Sequence, residues 1–149
     1  MEEPGSVGKR VLIVEDDPLD MRLFSAMLAA EGYRVLRAID GPRGVDLAHR
    51  EPPDLIIMDI NLPGMSGIEA TRMLKEDPET AGIPIIITTA FGMCGDDPEI
   101  STSGSDGFVA KPIAFSNFLE MVEMVLERSR RSRPVQRLAM AKTGSAGRT

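Results

Sequence analysis

An alternation repeated five times constrains this chain more than any other feature: a short apolar run, then a stretch of helical spacing. The runs are Val11-Leu12-Ile13-Val14, Arg34 to Ala38, Leu55-Ile56-Ile57-Met58, Pro84-Ile85-Ile86-Ile87 and Gly107-Phe108-Val109-Ala110. The continuous apolar runs read as strands buried on both faces. Strands alternating with helices specify an α/β fold with a five-stranded parallel sheet, and right-handed crossovers put helices on both of its faces.

The intervening stretches carry helix signals. Asp17 can cap a helix that Pro18 begins, with Met21, Phe24 and Leu28 at helical spacing. Asp40-Gly41-Pro42 starts a second helix, with Val45, Leu47 and Ala48 able to face the sheet. Ser66-Gly67-Ile68-Glu69 is a capping box, followed by Ile68, Thr71 and Leu74 on the inner side. Cys94 to Gly104 reads as a short, weak helix because it is rich in glycine, serine and threonine. Phe115, Phe118, Leu119, Val122, Val125 and Leu126 form the clearest apolar stripe.

The chain has 149 residues, enough for one domain with a core of its own. Its 23 acidic residues all precede Arg128, alongside ten basic ones, a balance of −13. From Arg128 on there are seven basic residues and no acid, which brings the whole to −6. An acidic body argues against nucleic-acid binding by the domain itself. The reading divides the chain into a flexible lead-in (1–8), a folded domain (9–127) and a basic tail (128–149), disordered after at most one more helical turn. The tail is too short for an output domain. The single cysteine, Cys94, excludes an internal disulfide. No apolar stretch approaches the roughly 18 residues of a membrane span, and the acidic N-terminus is no secretory signal, so a cytoplasmic location is expected.

In a parallel sheet all carboxyl ends of the strands share one edge, where such folds place their ligands. That edge collects Glu15 and Asp16 after strand 1, Asp59 at the end of strand 3, Thr89 after strand 4 and Lys111 after strand 5. Three carboxylates repel one another, and a hard divalent cation such as Mg²⁺ relieves the repulsion. A lysine and a hydroxyl then offer donors to an anion. Phosphoryl chemistry on Asp59 uses all five residues. Asp17 is equally a helix cap or a third acid of the first loop. His49, the one histidine, reads as surface filler with no metal cluster around it.

Val11-Leu12-Ile13-Val14-Glu15-Asp16-Asp17, Met58-Asp59-Ile60-Asn61-Leu62-Pro63-Gly64-Met65-Ser66-Gly67, Thr89-Ala90 and Lys111-Pro112 together resemble the receiver domain of bacterial two-component response regulators. The resemblance spans roughly residues 9 to 127. It implies a flavodoxin-like, doubly wound (βα)5 arrangement with strand order 2-1-3-4-5. It further implies that Asp59 is the phosphoacceptor, served by a phosphohistidine on a histidine kinase or phosphotransfer protein. Glu15, Asp16, Asp59 and the Asn61 carbonyl would hold Mg²⁺. Lys111 would pair with a phosphoryl oxygen beside a cis Lys111-Pro112 bond, and Thr89 and Phe108 would act as switch residues. Phe91 departs from the pattern as a bulky residue expected to slow hydrolysis. A single-domain receiver of this kind acts through a downstream protein or a relay, and the strand 5 and last-helix face is a candidate homodimer surface.

Other classes fit less well. An aspartate-based phosphatase of the haloacid dehalogenase kind needs its nucleophile on the first strand. A flavin-binding domain needs a phosphate loop where this chain has three acids. A degenerate receiver, used for binding alone, needs a missing acid, threonine or lysine, and none is missing.

Overall fold

The computed structural model describes residues 8–89 and 98–143, with side chains as far as Arg131. The elements are β1 (Arg10–Val14), α1 (Pro18–Ala30), β2 (Arg34–Ala38), α2 (Gly41–Arg50), β3 (Leu55–Asp59), α3 (Gly67–Glu76), β4 (Ile85–Thr89), α4 (Pro98–Ser101), β5 (Gly107–Ala110) and α5 (Phe115–Thr143). The five strands form one sheet in the order β2-β1-β3-β4-β5, and every pair is parallel.

Strand periodicity divides the core into two layers. Val11, Ile13, Leu55, Ile57, Ile86 and Val109 face α1 and α5, where they meet Phe24, Leu28, Phe118 and Val122. Leu12, Val14, Ile56, Met58, Ile85 and Ile87 face the other side, with Ala48, Ile68, Ala70 and Leu74. The Phe24 and Phe118 rings stack with centroids 5.2 Å apart, which ties α1 to α5. All five residues of β3 and all five of β4 are buried, so these strands have no solvent face. Each such isoleucine or leucine contributes about 1.5–3 kcal/mol relative to exposure.

Capping residues stop the strand-to-helix loops from wandering. Asp17 accepts the Asp20 amide at 2.9 Å, and Asp40 accepts the Arg43 amide at 2.9 Å. Ser66 and Glu69 complete a reciprocal box, with both bonds near 3 Å (3.0 and 3.1 Å). Gly67 lets α3 start against the strand: a Cβ there would lie 2.0 Å from the Asp59 carbonyl oxygen.

The structure departs from the sequence reading in three places outside the site. Phe115 belongs to the apolar stripe by spacing but is 53% exposed, because it opens α5 beyond the edge of the sheet. The helix after β4 covers only Pro98–Ser101, and the rest of its expected start lies outside the described residues. The basic segment continues α5 as far as Thr143 instead of leaving the helix near 127. Its first turn is supported by Glu127, which pairs with Arg130 at 2.6 Å and Arg131 at 3.0 Å, at the i,i+3 and i,i+4 spacings that face each other on a helix.

Candidate phosphoacceptor site

Parallel pairing delivers four strand ends to one edge. The β3–β4 register sets Asp59 beside Thr88, and the β4–β5 register sets Thr89 beside Ala110. The Lys111 amide then donates to the Thr89 carbonyl at 2.8 Å, which carries the pairing one residue past β5. The Lys111-Pro112 peptide that follows is cis, as the resemblance implied.

Lys111 Nζ lies 3.1 Å from Glu15 Oε1, 3.1 Å from Asp20 Oδ2 and 3.5 Å from Asp59 Oδ1. Glu15 and Asp59 are almost wholly enclosed, whereas the Asp20 side chain is 34% exposed at the rim. Glu15 Oε2 also accepts the Asp17 amide at 3.1 Å, and Asp59 Oδ1 accepts the Asn61 amide at 3.3 Å. Asp17 thus works as both the α1 cap and a backbone donor to Glu15. Phe108 is half-buried against the layer that contains Ile85 and Ile87, and Asn61 is exposed. Phe91 lies outside the described residues.

Enclosure sets the electrostatics. Burial pushes the Glu15 carboxyl up to about 7; the Asp17 amide and Lys111 pull it down, and the Asp59 charge pushes it up again. Burial works against the Lys111 charge, but Asp20, Asp59 and Glu15 outweigh it and raise the ammonium above its usual range. One lysine therefore faces more carboxylate than it can neutralise.

Glu15, Asp16 and Asp59 each offer an oxygen within 4.8 Å of the others, a donor set of hard oxygens that suits a small divalent cation. On the neighbouring strand Thr88, the register partner of Asp59, and Thr89 after it each bury a hydroxyl with no hydrogen-bond partner among the described residues, as does Thr71 on α3. A buried hydroxyl without a partner is costly, and such groups collect where a ligand completes the bonding. Acids and lysine converge on the end of β3, and Thr89 closes the adjacent strand.

Residues 11–123 match the family described as the response regulator receiver domain. The chain belongs to that family. This receiver domain is 44% identical over 118 residues to the polar-differentiation response regulator DivK of Brucella anthropi, a match that covers 79% of this chain and 96% of the relative. The receiver domain of the sensor histidine kinase PA1611 from Pseudomonas aeruginosa, crystallised with a magnesium ion coordinated in its active-site cleft, superposes with a TM-score of 0.75. It is 32% identical, and the match covers 81% of this chain and 99% of that one. A response regulator from Chloroflexus aurantiacus gives a TM-score of 0.77 at 28% identity, covering 80% of this chain and 98% of that one. The α/β fold with strand order 2-1-3-4-5 is therefore that of receiver domains, as expected. Among the described residues no helix is long and apolar enough to cross a membrane.

Two residues of this receiver domain escaped the sequence reading. Asp20 was legible only as an acid in the first turn of a helix, where it favours the helix dipole. His49 is not surface filler. Its Nδ1 lies 2.9 Å from the Val45 carbonyl and its Nε2 lies 2.7 Å from Asp77 Oδ2, so the ring joins α2 to the loop after α3. His49, Asp77 and Glu79 also bring three ligand-type atoms within 4.8 Å of one another, a cluster that the sequence reading excluded. No helical or strand period links positions 28 residues apart, so nothing local announced the contact.

Proposed function

We propose that this receiver domain accepts a phosphoryl group on Asp59 from a phosphohistidine of a histidine kinase or phosphotransfer protein. It signals through phosphorylation-dependent protein contacts or as a relay intermediate. The observation that carries the reading is the cluster of Lys111 Nζ with Glu15 and Asp59, three groups from β-strand ends remote in sequence. A purely structural carboxylate pair has no need of a third acid, Asp16, at the mouth.

In this reading Asp59 Oδ attacks phosphorus as the P–N bond breaks, and the bonding electrons return to the imidazole. Glu15, Asp16, Asp59 and the Asn61 carbonyl would hold Mg²⁺, which would supply charge neutralisation for the phosphoryl oxygens and the acids. Lys111 donates to a phosphoryl oxygen, and the Thr89 hydroxyl gains its missing partner there. Phe108 follows as the aromatic switch residue, and Phe91 limits access of water. Residues 9–127 make up the receiver body, in a cytoplasmic protein, and the β5–α5 face serves a downstream protein or a second copy.

Intact-mass spectrometry after incubation with acetyl phosphate and Mg²⁺ tests the acceptor. One phosphoryl addition is expected in the wild type and none in Asp59→Asn or without the metal. A folded wild type that takes no phosphoryl group from acetyl phosphate or from a phosphohistidine donor, and binds no beryllofluoride, overturns the reading in favour of a binding module independent of phosphorylation.

A further inference from the structure

An ammonium has three N–H bonds, and Lys111 faces three carboxylates: Glu15, Asp20 and Asp59. No donor is left over. Two of these acids belong to the site proposed for the metal, but Asp20 does not. It stands on the first turn of α1, where its amide is fixed by Asp17 at 2.9 Å. Its side chain reaches Lys111 at 3.1 Å from a partly exposed position. Among the described residues the partner of its carboxylate is the lysine.

We propose that Asp20 is a positioning residue that engages one Lys111 N–H at the rim of the site until a phosphoryl group competes for it. The proposal rests on the functional reading above. While the site holds no phosphoryl group, Asp20 occupies one lysine donor and spreads the ammonium charge toward the rim. Glu15 and Asp59 are then shared less tightly with Lys111 and are more available to a metal ion. An arriving phosphoryl oxygen must compete with Asp20 for the same N–H. Asp20 thus favours loading of the cation and opposes occupation by adventitious anions such as inorganic phosphate.

The two effects have opposite signs, which makes them separable from simple damage. Asp20→Asn keeps the shape and the backbone bond to Asp17 while removing the charge. Titration calorimetry with MgCl₂ alone is expected to show affinity reduced roughly three- to tenfold in this variant, because Lys111 turns more fully onto Glu15 and Asp59. Beryllofluoride binding at saturating Mg²⁺, followed by ¹⁹F NMR, is expected to tighten by a similar factor. In the metal-free protein the Lys111 ammonium signal in ¹H–¹⁵N spectra is expected to exchange faster with solvent than in the wild type. In a Lys111→Met background at 0.5 M KCl, the same substitution is expected to change Mg²⁺ affinity less than about twofold, since only a screened charge remains.

A loss of affinity for both ligands, or a change below about twofold in both, overturns the role of Asp20. An undiminished effect in the Lys111→Met background also overturns it. A wild type that binds neither Mg²⁺ nor beryllofluoride overturns the underlying functional reading, and this proposal with it. A wild type that binds both, with Asp20→Asn unchanged, overturns the proposal alone.

Discussion

Lys111 Nζ and Glu15 Oε1 meet at 3.1 Å across 96 positions of the chain, and the glutamate is almost fully enclosed. The pairing does not satisfy Glu15. Burial first, and the Asp59 charge after it, still raise its carboxyl from 4.5 to about 7. A cation entering this site has to displace that proton. Calorimetry in buffers of different ionisation enthalpy is expected to show about one proton released per Mg²⁺ bound at pH 6 and almost none at pH 8.5. In metal-free protein the sign for stability is the reverse of an ordinary ion-paired acid. The native state holds a proton that the unfolded chain has released, so Glu15 contributes stability below pH 4.5 that is lost as pH rises through about 7. Equal proton release at both pH values would contradict this account.

Gly67 and Gly64 flank the same loop for different reasons. A Cβ on Gly67 would sit 2.0 Å from the Asp59 carbonyl oxygen and 2.8 Å from its carbonyl carbon, where backbone has to move. Gly64 has φ of +77° with nothing within 4 Å, so a substitution there meets only the left-handed strain. Gly67→Ala is expected to cost about 3 kcal/mol in urea unfolding, and Gly64→Ala about 1 kcal/mol. If Asp59 is the acceptor as proposed, Gly67→Ala is also expected to abolish phosphorylation, because α3 must retreat from the end of β3. Equal costs at the two positions would remove the steric argument.

Thr88 and Thr89 carry buried hydroxyls without partners among the described residues, so each is a local cost in the resting fold. Valine has nearly the same shape and no hydroxyl to desolvate. Thr88→Val and Thr89→Val are each expected to raise stability by about 1 kcal/mol. The two separate when beryllofluoride is added with Mg²⁺. Thr89→Val loses affinity because its hydroxyl no longer completes the site, and Thr88→Val keeps it. Calorimetric melts with and without the anion read both effects.

The His49 imidazole has acceptors on both sides, the Val45 carbonyl and the Asp77 carboxylate, so the protonated ring is the form that fits. Its hydrogen bond to Asp77, then that to Val45, raises its pKa above 6.5. The sign follows from linkage: this stabilisation is full below pH 6.5 and is lost as pH rises through the folded value. Asp77, lowered first by the Glu79 amide and then by His49, contributes above pH 3.8 and loses its share in acid. His49→Gln is expected to flatten the decline of the urea midpoint between pH 6 and pH 9. A decline as steep as that of the wild type would show that this contact does not cause it.

Much of the candidate site was legible because strand ends in a parallel sheet share one edge whatever the details of packing. Glu15, Asp16, Asp59 and Lys111 each follow an apolar run, so finding the runs located them. Asp20 and His49 were not legible, because each is read in sequence as part of its own helix. The partners that matter, Lys111 for Asp20 and Asp77 for His49, come from different elements, and no periodicity connects them. Composition pointed to a tail that leaves the helix within about one turn of residue 127, whereas α5 runs on to Thr143; the Glu127–Arg130 and Glu127–Arg131 pairs support the first turn beyond 127.

By itself the sequence determined the order of strands and helices, the parallel sheet and the acids that crowd its edge. These depend on local periodicity and on the fixed handedness of crossovers. Only the tertiary structure decided how the charges are shared. Whether one ammonium serves two carboxylates or three depends on differences of a few tenths of an ångström between groups held by separate elements. Those distances come from packing α1 against the sheet to which β5 belongs, a collective result that no local stretch of sequence encodes.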